Sequence, residues 1–279
     1  MVVPAGASAF RASDFQNPYG VVVDPKTNFI YVSNVNGDPD ARDNDGFISR
    51  LKGDGTVDEF RFIDGGKKGV TLHAPKGMAI VKTTLYVTDI DALRAYDLDE
   101  AKHLYDINFG ELPVQHFYDV TVGPDGALYV TDGPGNAIYR VDVERKHEVT
   151  LFVSGPQLGQ PHGLCWLSAR QIFVVAGWSS GQVTALDGKG QLQPVPSIFL
   201  RTLGGIAVDG FGNAYVASSA LRAVFRIAPN FALFDFVLGL SEPMGVAYHA
   251  AEKSIIVASF DTGIVQSFPL EATTQRPQG

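Results

Sequence analysis

The sequence predicts an all-β fold, a six-bladed β-propeller of four-stranded antiparallel blades. Three observations point there: a supersecondary phrase recurs six times, its copies are nearly evenly spaced, and no 3.6-residue periodicity is present. The phrase is a Gly-containing turn, four alternating residues, a polar turn, and an aromatic residue or Ile followed by Val. Its landmarks Tyr31, Tyr86, Tyr129, Phe173, Tyr215 and Ile256 are separated by 55, 43, 44, 42 and 41 residues. A unit of roughly 40 residues holding four short strands is one propeller blade, which buries its faces only when neighbours flank it. A βαβ arrangement lacks its helices, and an irregular β-sandwich does not account for a constant period. Residues 1–279 therefore read as a single domain.

Taken in order, the first element is Ala7-Ser-Ala-Phe-Arg-Ala, which precedes Asn17-Pro18 as Phe231-Ala-Leu-Phe-Asp-Phe precedes Glu242-Pro243. The last repeat, Gly245 to Leu270, supplies only three strands. Ser8 to Ala12 is thus expected to pair with Val265 to Phe268 and close the last blade, since an open edge is an aggregation hazard. The first unit runs from Asn17-Pro-Tyr-Gly to Ile30-Tyr-Val-Ser, and its extra length falls in an acidic insertion at residues 35–46. There Asp38, Asp40, Asp43 and Asp45 resemble a calcium loop in charge, but Pro39 and Arg42 interrupt them and no Glu closes the loop. A solvated turn is expected, with calcium as the alternative. The next five units open at Ala74-Pro-Lys-Gly, Phe117-Tyr-Asp-Val, Gln160-Pro-His-Gly, Leu203-Gly-Gly-Ile and Glu242-Pro-Met-Gly. Each continues into two more strand-like runs, such as Ala137-Ile-Tyr-Arg-Val-Asp-Val and Val149-Thr-Leu-Phe-Val. Residues 271–279 form a polar tail.

Composition narrows the function classes. A net charge of -8 and a pI near 5.2 provide no basic field for phosphates, so nucleic acid and anionic membrane are not expected as partners. No apolar run approaches the ~18 residues of a membrane-spanning helix, so no membrane insertion is expected. A single cysteine, Cys165, excludes an internal disulfide and a Cys-rich zinc site. It lies in an apolar run and reads as a buried hydrophobe. Met1 to Phe10 lacks a basic n-region, so no signal peptide is read there. The compartment stays open between cytoplasm and, with a leader removed, periplasm or exterior.

Innermost propeller strands all start at one rim of the channel, so the residue before each Gly landmark belongs to a common ring. That ring reads Tyr19, Lys76, Tyr118, His162, Gly204 and Met244, with Asp119 standing where the other repeats carry Gly. His162 reads as a general base and Asp119 as its orienting carboxylate, while Tyr118 and Tyr19 are donors for a developing oxyanion. Lys76 is placed to hold an anion, and Met244 and Trp178 to border a small molecule in the channel. The expected catalytic set is accordingly His162, Asp119 and Tyr118, and the substrate-binding set Tyr19, Lys76, Trp178 and Met244. The opposing reading is that these side chains fill and hydrogen-bond a wet channel. Asn34, Asp89 and Asp132 recur at strand ends and are expected to cap turns by bonding N–H groups two residues on. Gly177-Trp-Ser-Ser-Gly181 matches a nucleophile elbow by letter but precedes a strand, so it reads as an inter-strand turn. His73, His103, His116, His147 and His249 show no metal-ligand spacing.

The phrases Tyr31-Val-Ser-Asn-Val-Asn-Gly-Asp-Pro, Gly46-Phe-Ile-Ser-Arg-Leu, Ala74-Pro-Lys-Gly-Met-Ala and Tyr86-Val-Thr-Asp-Ile-Asp resemble a bacterial branch of the gluconolactonase/regucalcin (senescence marker protein) family. The repeat is also similar to NHL-type propellers, and the resemblance runs from about Asn17 to Leu270. It implies a six-bladed propeller that hydrolyses sugar lactones or similar cyclic esters with one divalent cation at the channel mouth. The family's ligands are a Glu in the first strand of blade one, an Asn before the Gly of the fourth repeat and an Asp before that of the fifth, with a further Asn in the third. Here no carboxylate lies between Phe15 and Val23, His162 and Gly204 hold the fourth and fifth positions, and Tyr118 precedes Asp119. No cofactor is therefore expected, calcium being the cation the resemblance implies. Two functions follow: a lactone or ester hydrolase with an altered channel site, or a non-catalytic propeller that binds a small molecule in the channel or a protein at a rim.

Overall fold

The computed structural model describes residues 9–270, together with the backbone of Val3–Pro4. Six sheets of antiparallel strands follow one another around a channel. The innermost strands of blades I to VI are Pro18–Val23, Pro75–Val81, Phe117–Val122, Pro161–Leu167, Leu203–Val208 and Pro243–His249. The second strands, from Ile30–Asn34 in blade I to Ser254–Ser259 in blade VI, carry the landmark residues, aromatic in the first five blades and Ile256 in the sixth. They are buried almost throughout, because a neighbouring blade covers each face. Outer strands such as Lys102–Ile107 alternate towards solvent. At the channel mouth Tyr19, Val35, Ala74, Ile90 and Met244 form a small buried cluster. Six hydrophobic clusters each bridge two adjacent blades, including the closing pair VI and I.

The predicted closure is present within the described residues. Phe10–Ala12 lies antiparallel to Ile264–Pro269, pairing Phe10 with Ser267 and Ala12 with Val265. Ser8 and the tail 271–279 lie outside the described residues. A second N-terminal contact had no signal in the repeat: Val3–Pro4 pairs in parallel with Val237 and Leu238 on the outside of blade V. Blade IV has the weakest edge, its outermost strand being only Leu192–Gln193.

The Gly that follows five of the six ring residues has a steric cause. A Cβ at Gly20 would run into the Lys76 carbonyl of the next blade, and one at Gly245 into the Tyr19 carbonyl. Each innermost strand also carries a register shift at this point, for instance between Phe117 and Val120, which turns the ring residue into the channel. In blades I and III the second strand supplies a hydroxyl that serves this bulge. Ser33 Oγ accepts from Gly20 N–H at 2.7 Å and donates to the Lys76 carbonyl at 2.7 Å. Thr131 Oγ1 accepts from Asp119 N–H at 2.9 Å and donates to the His162 carbonyl at 2.9 Å. Thr88 donates to the Tyr118 carbonyl at 3.2 Å. Blades IV to VI carry Val175, Ala217 and Ala258 instead. The pinned ring residues are thus Lys76, Tyr118 and His162.

Asn34, Asp89 and Asp132 do bind backbone, but not mainly two residues on. Asp89 accepts from His73 and Ala74 N–H, and Asp132 from Gln115 and His116 N–H, so each fixes the segment entering its own blade's innermost strand. Asn34 does the same for Gln16 N–H at 3.0 Å. A four-stranded blade brings the end of its second strand beside the start of its first, and that pairing overrides the local turn.

Candidate functional site at the channel mouth

The ring residues converge as the repeat implies. Tyr19, Lys76, Tyr118, His162, Met244 and Trp178 all line one cavity of about 250 Å³ at the rim where the innermost strands begin. Gly204 contributes no side chain, and its backbone packs on Met244.

His162 is clamped. Its ring stacks on Tyr118 at 3.6 Å between centroids and on Trp178 at 4.4 Å, and His116 stacks on the far face of Tyr118 at 4.9 Å. Four rings from blades III and IV therefore form one continuous stack. The Nδ1 of His162 lies 3.3 Å from the Tyr19 hydroxyl. Burial, helped by His116 and Lys76, holds the imidazole well below its ordinary range, so it is neutral at physiological pH. Burial pushes the Tyr19 phenol well above its usual value, so it stays a neutral hydrogen-bonding group.

Asp119 does not orient His162. Its carboxylate accepts from Val120 N–H and Leu164 N–H, both at 2.9 Å, and so ties blade III to the His162 strand two residues past the imidazole. Desolvation in the channel lifts this carboxyl to about 7 against the pull of those two N–H groups. Nor does Lys76 present an open ammonium. It is 1 % exposed, and its Nζ donates to the Pro39 carbonyl at 2.9 Å and the Ala74 carbonyl at 3.2 Å. Burial brings its pKa down to about 8.

The acidic insertion is part of this site, which the repeat alone did not indicate. Pro39 and Asp40 line the cavity, Asp40 lies 3.2 Å from His116 Nδ1, and Arg42 pairs with Asp91 at 2.7 Å. Burial first, then Lys76, brings His116 down to about 4 despite Asp40. The other loop carboxylates turn elsewhere, Asp38 to the Asp40 N–H and Asp45 to Asn36. Glu242, Gln160 and Phe260, with Gly133 and Pro134, complete the lining. Burial and the neighbouring Asp261 push Glu242 up to about 7. Glu242 and Gln160 stand two places before ring residues Met244 and His162, as Asn17 does before Tyr19, so their position was legible although their role was not.

Gly177 to Gly181 forms the expected inter-strand turn and delivers Trp178 to the stack. Cys165 is buried, and burial pushes its thiol up. No helix among the described residues is long and apolar enough to cross a membrane.

No protein-family model matches the chain, and no curated protein matches it. Solved structures do share its fold. A protein described as a putative gluconolactonase superposes with a TM-score of 0.72 at 16% identity, covering 95% of this chain and 93% of its own. A gluconolactonase from Xanthomonas campestris gives 0.69 at 15% identity over 94% of this chain and 88% of its own. Virginiamycin B lyase from Staphylococcus aureus gives 0.66 at 15% identity over 94% and 98%. At such identities the likeness is one of fold: the chain is a six-bladed propeller.

Proposed function

We propose that this propeller binds a small organic molecule in its channel mouth and hydrolyses a lactone or ester there, with His162 as the base. The observation that carries the reading is the convergence of a neutral imidazole, the Tyr19 hydroxyl and a buried ammonium on one aromatic-walled cavity. A neutral imidazole is the form that takes a proton, here from the water attacking the carbonyl carbon. As the C=O bond opens, negative charge grows on its oxygen, and the Tyr19 and Tyr118 hydroxyls and the remaining N–H of Lys76 are the donors available to it. Return of the proton from His162 to the leaving oxygen completes the cleavage. Asp119 serves as a positioning residue through Leu164. Met244, Phe260 and the edge of Trp178 supply apolar contact.

The cation the fold family implies does not fit this ring. One position has no side chain, another is an imidazole already facing Tyr19, and the Lys76 ammonium lies beside them, whereas hard divalent ions select oxygen.

The clamping of His162 between two rings favours a second reading, a non-catalytic ligand-binding propeller, because a sandwiched ring offers only its edge. A panel of lactones and aryl esters on wild type and His162→Ala separates the two. The hydrolase reading expects turnover that falls on the order of a hundredfold in the variant. Absence of turnover, with Trp178 fluorescence still reporting ligand uptake, supports the binding module instead. Turnover unaffected by the change removes His162 from the mechanism.

A further inference from the structure

Below Tyr19, Tyr118, His162 and Met244 the channel widens into a second cavity of about 390 Å³. Those four residues line both spaces and so divide the channel. The lower chamber is walled by residues such as Val21, Val120, Leu164 and Val246 from the innermost strands, and it opens past Trp166, Ser168 and Tyr248. Its one carboxylate is Asp119, which lines this chamber and not the mouth. No lysine or arginine is among the described residues that line it, and Lys76 borders the mouth only. The other titratable side chains facing it are Tyr19, Tyr118, His162, Cys165 and Tyr248. None of these is a cation at neutral pH, the imidazole of His162 being held neutral by burial.

A carboxylate recessed in an apolar tube without a counter-ion is an incomplete ion pair. Two backbone N–H groups satisfy part of it, and desolvation still disfavours the charge. An alkanoate would add a second negative charge, and an alcohol would leave the charge uncompensated. A ligand ammonium completes the pair while its hydrocarbon covers the valine walls. We propose that the lower chamber is a second binding site, for a small apolar molecule ending in a protonated amine, with the ammonium on Asp119 and access from the rim opposite the mouth. Binding at this site does not require hydrolysis at the mouth, although Asp119 also fixes the His162 strand through Leu164 N–H.

The two tryptophans report the two spaces separately, Trp166 the chamber and Trp178 the mouth. In a Trp178→Phe protein, titration with hexylammonium, hexanol and hexanoate should change Trp166 emission. The ammonium should bind at least tenfold more tightly than hexanol, and hexanoate should not bind. Affinity for the ammonium should rise from pH 6 to pH 8 as Asp119 gives up its proton. Asp119→Gly installs the residue that five other repeats carry at this point, and it should bring the ammonium down to the affinity of hexanol. Equal binding of hexylammonium and hexanol would overturn the proposal, as would unchanged binding in Asp119→Gly, or a Trp178 response in a Trp166→Phe protein with no Trp166 response in the Trp178→Phe protein. If Asp119→Gly fails to fold, the three probes and the pH series on the Trp178→Phe protein decide it alone.

Discussion

Thr131→Val tests whether the hydroxyl relay from the second strand holds the functional half of the ring. Thr131 is fully buried, and its Oγ1 serves both the Asp119 N–H and the His162 carbonyl at 2.9 Å. Valine keeps the shape and removes the oxygen, so a buried donor loses its acceptor and a buried acceptor loses its donor. At about 1–3 kcal/mol for each of the two buried groups left unpaired, the substitution should cost about 2–6 kcal/mol. For a domain of this size that is a Tm drop on the order of 5–10 °C. The same change at Thr88, whose bonds to the Gly77 and Tyr118 carbonyls are 3.3 and 3.2 Å, should cost about 1 kcal/mol. Urea unfolding of both variants, followed by far-UV circular dichroism, gives the comparison. Because His162 rides on the carbonyl that Thr131 holds, Trp178 emission should also shift in Thr131→Val before any unfolding. A cost under about 0.5 kcal/mol, or equal costs at the two positions, refutes the relay.

Three further outcomes are expected. Deleting residues 1–13 removes the strand paired with Val265 to Ser267 and should sharply lower the melting temperature by opening a sheet edge; an unchanged melting temperature would count against closure by this segment. Asp119 titrates near 7 when folded and near ~3.9 when unfolded, so its contribution to stability is full below the unfolded value and is lost as pH rises to about 7. Asp119→Gly should therefore flatten the decline in urea midpoint between pH 5 and 7.5, and an equally steep decline in the variant argues against the shift. Lys76→Met releases the Pro39 carbonyl, so trypsin should cut after Arg42 faster than in wild type, where Lys76 and the Arg42–Asp91 pair hold the insertion down; equal cleavage rates would mean the lysine does not anchor the loop.

The architecture was legible because a propeller repeats one local unit. Period, turn chemistry and the alternation of apolar residues are each short-range, and the same pattern six times over leaves few other ways to bury both faces of every sheet. The ring of Tyr19, Lys76, Tyr118, His162 and Met244 followed from the same repetition, since equivalent positions in a closed ring meet at one rim. What those side chains do to one another was not legible. His162 was expected to lean on Asp119, one residue past the equivalent ring position, but the register shift in blade III turns Tyr118 onto the imidazole and sends the carboxylate to Leu164 N–H. Lys76 reads as an open cation in a line of letters, yet the insertion from blade I closes over it. The parallel pairing of Val3–Pro4 on blade V and the division of the channel into two chambers likewise have no counterpart in the repeat. Repetition determines which residues share a level of the channel. Their partners depend on side-chain direction and on a single non-repeating loop, and those are set only when all six blades pack around one axis.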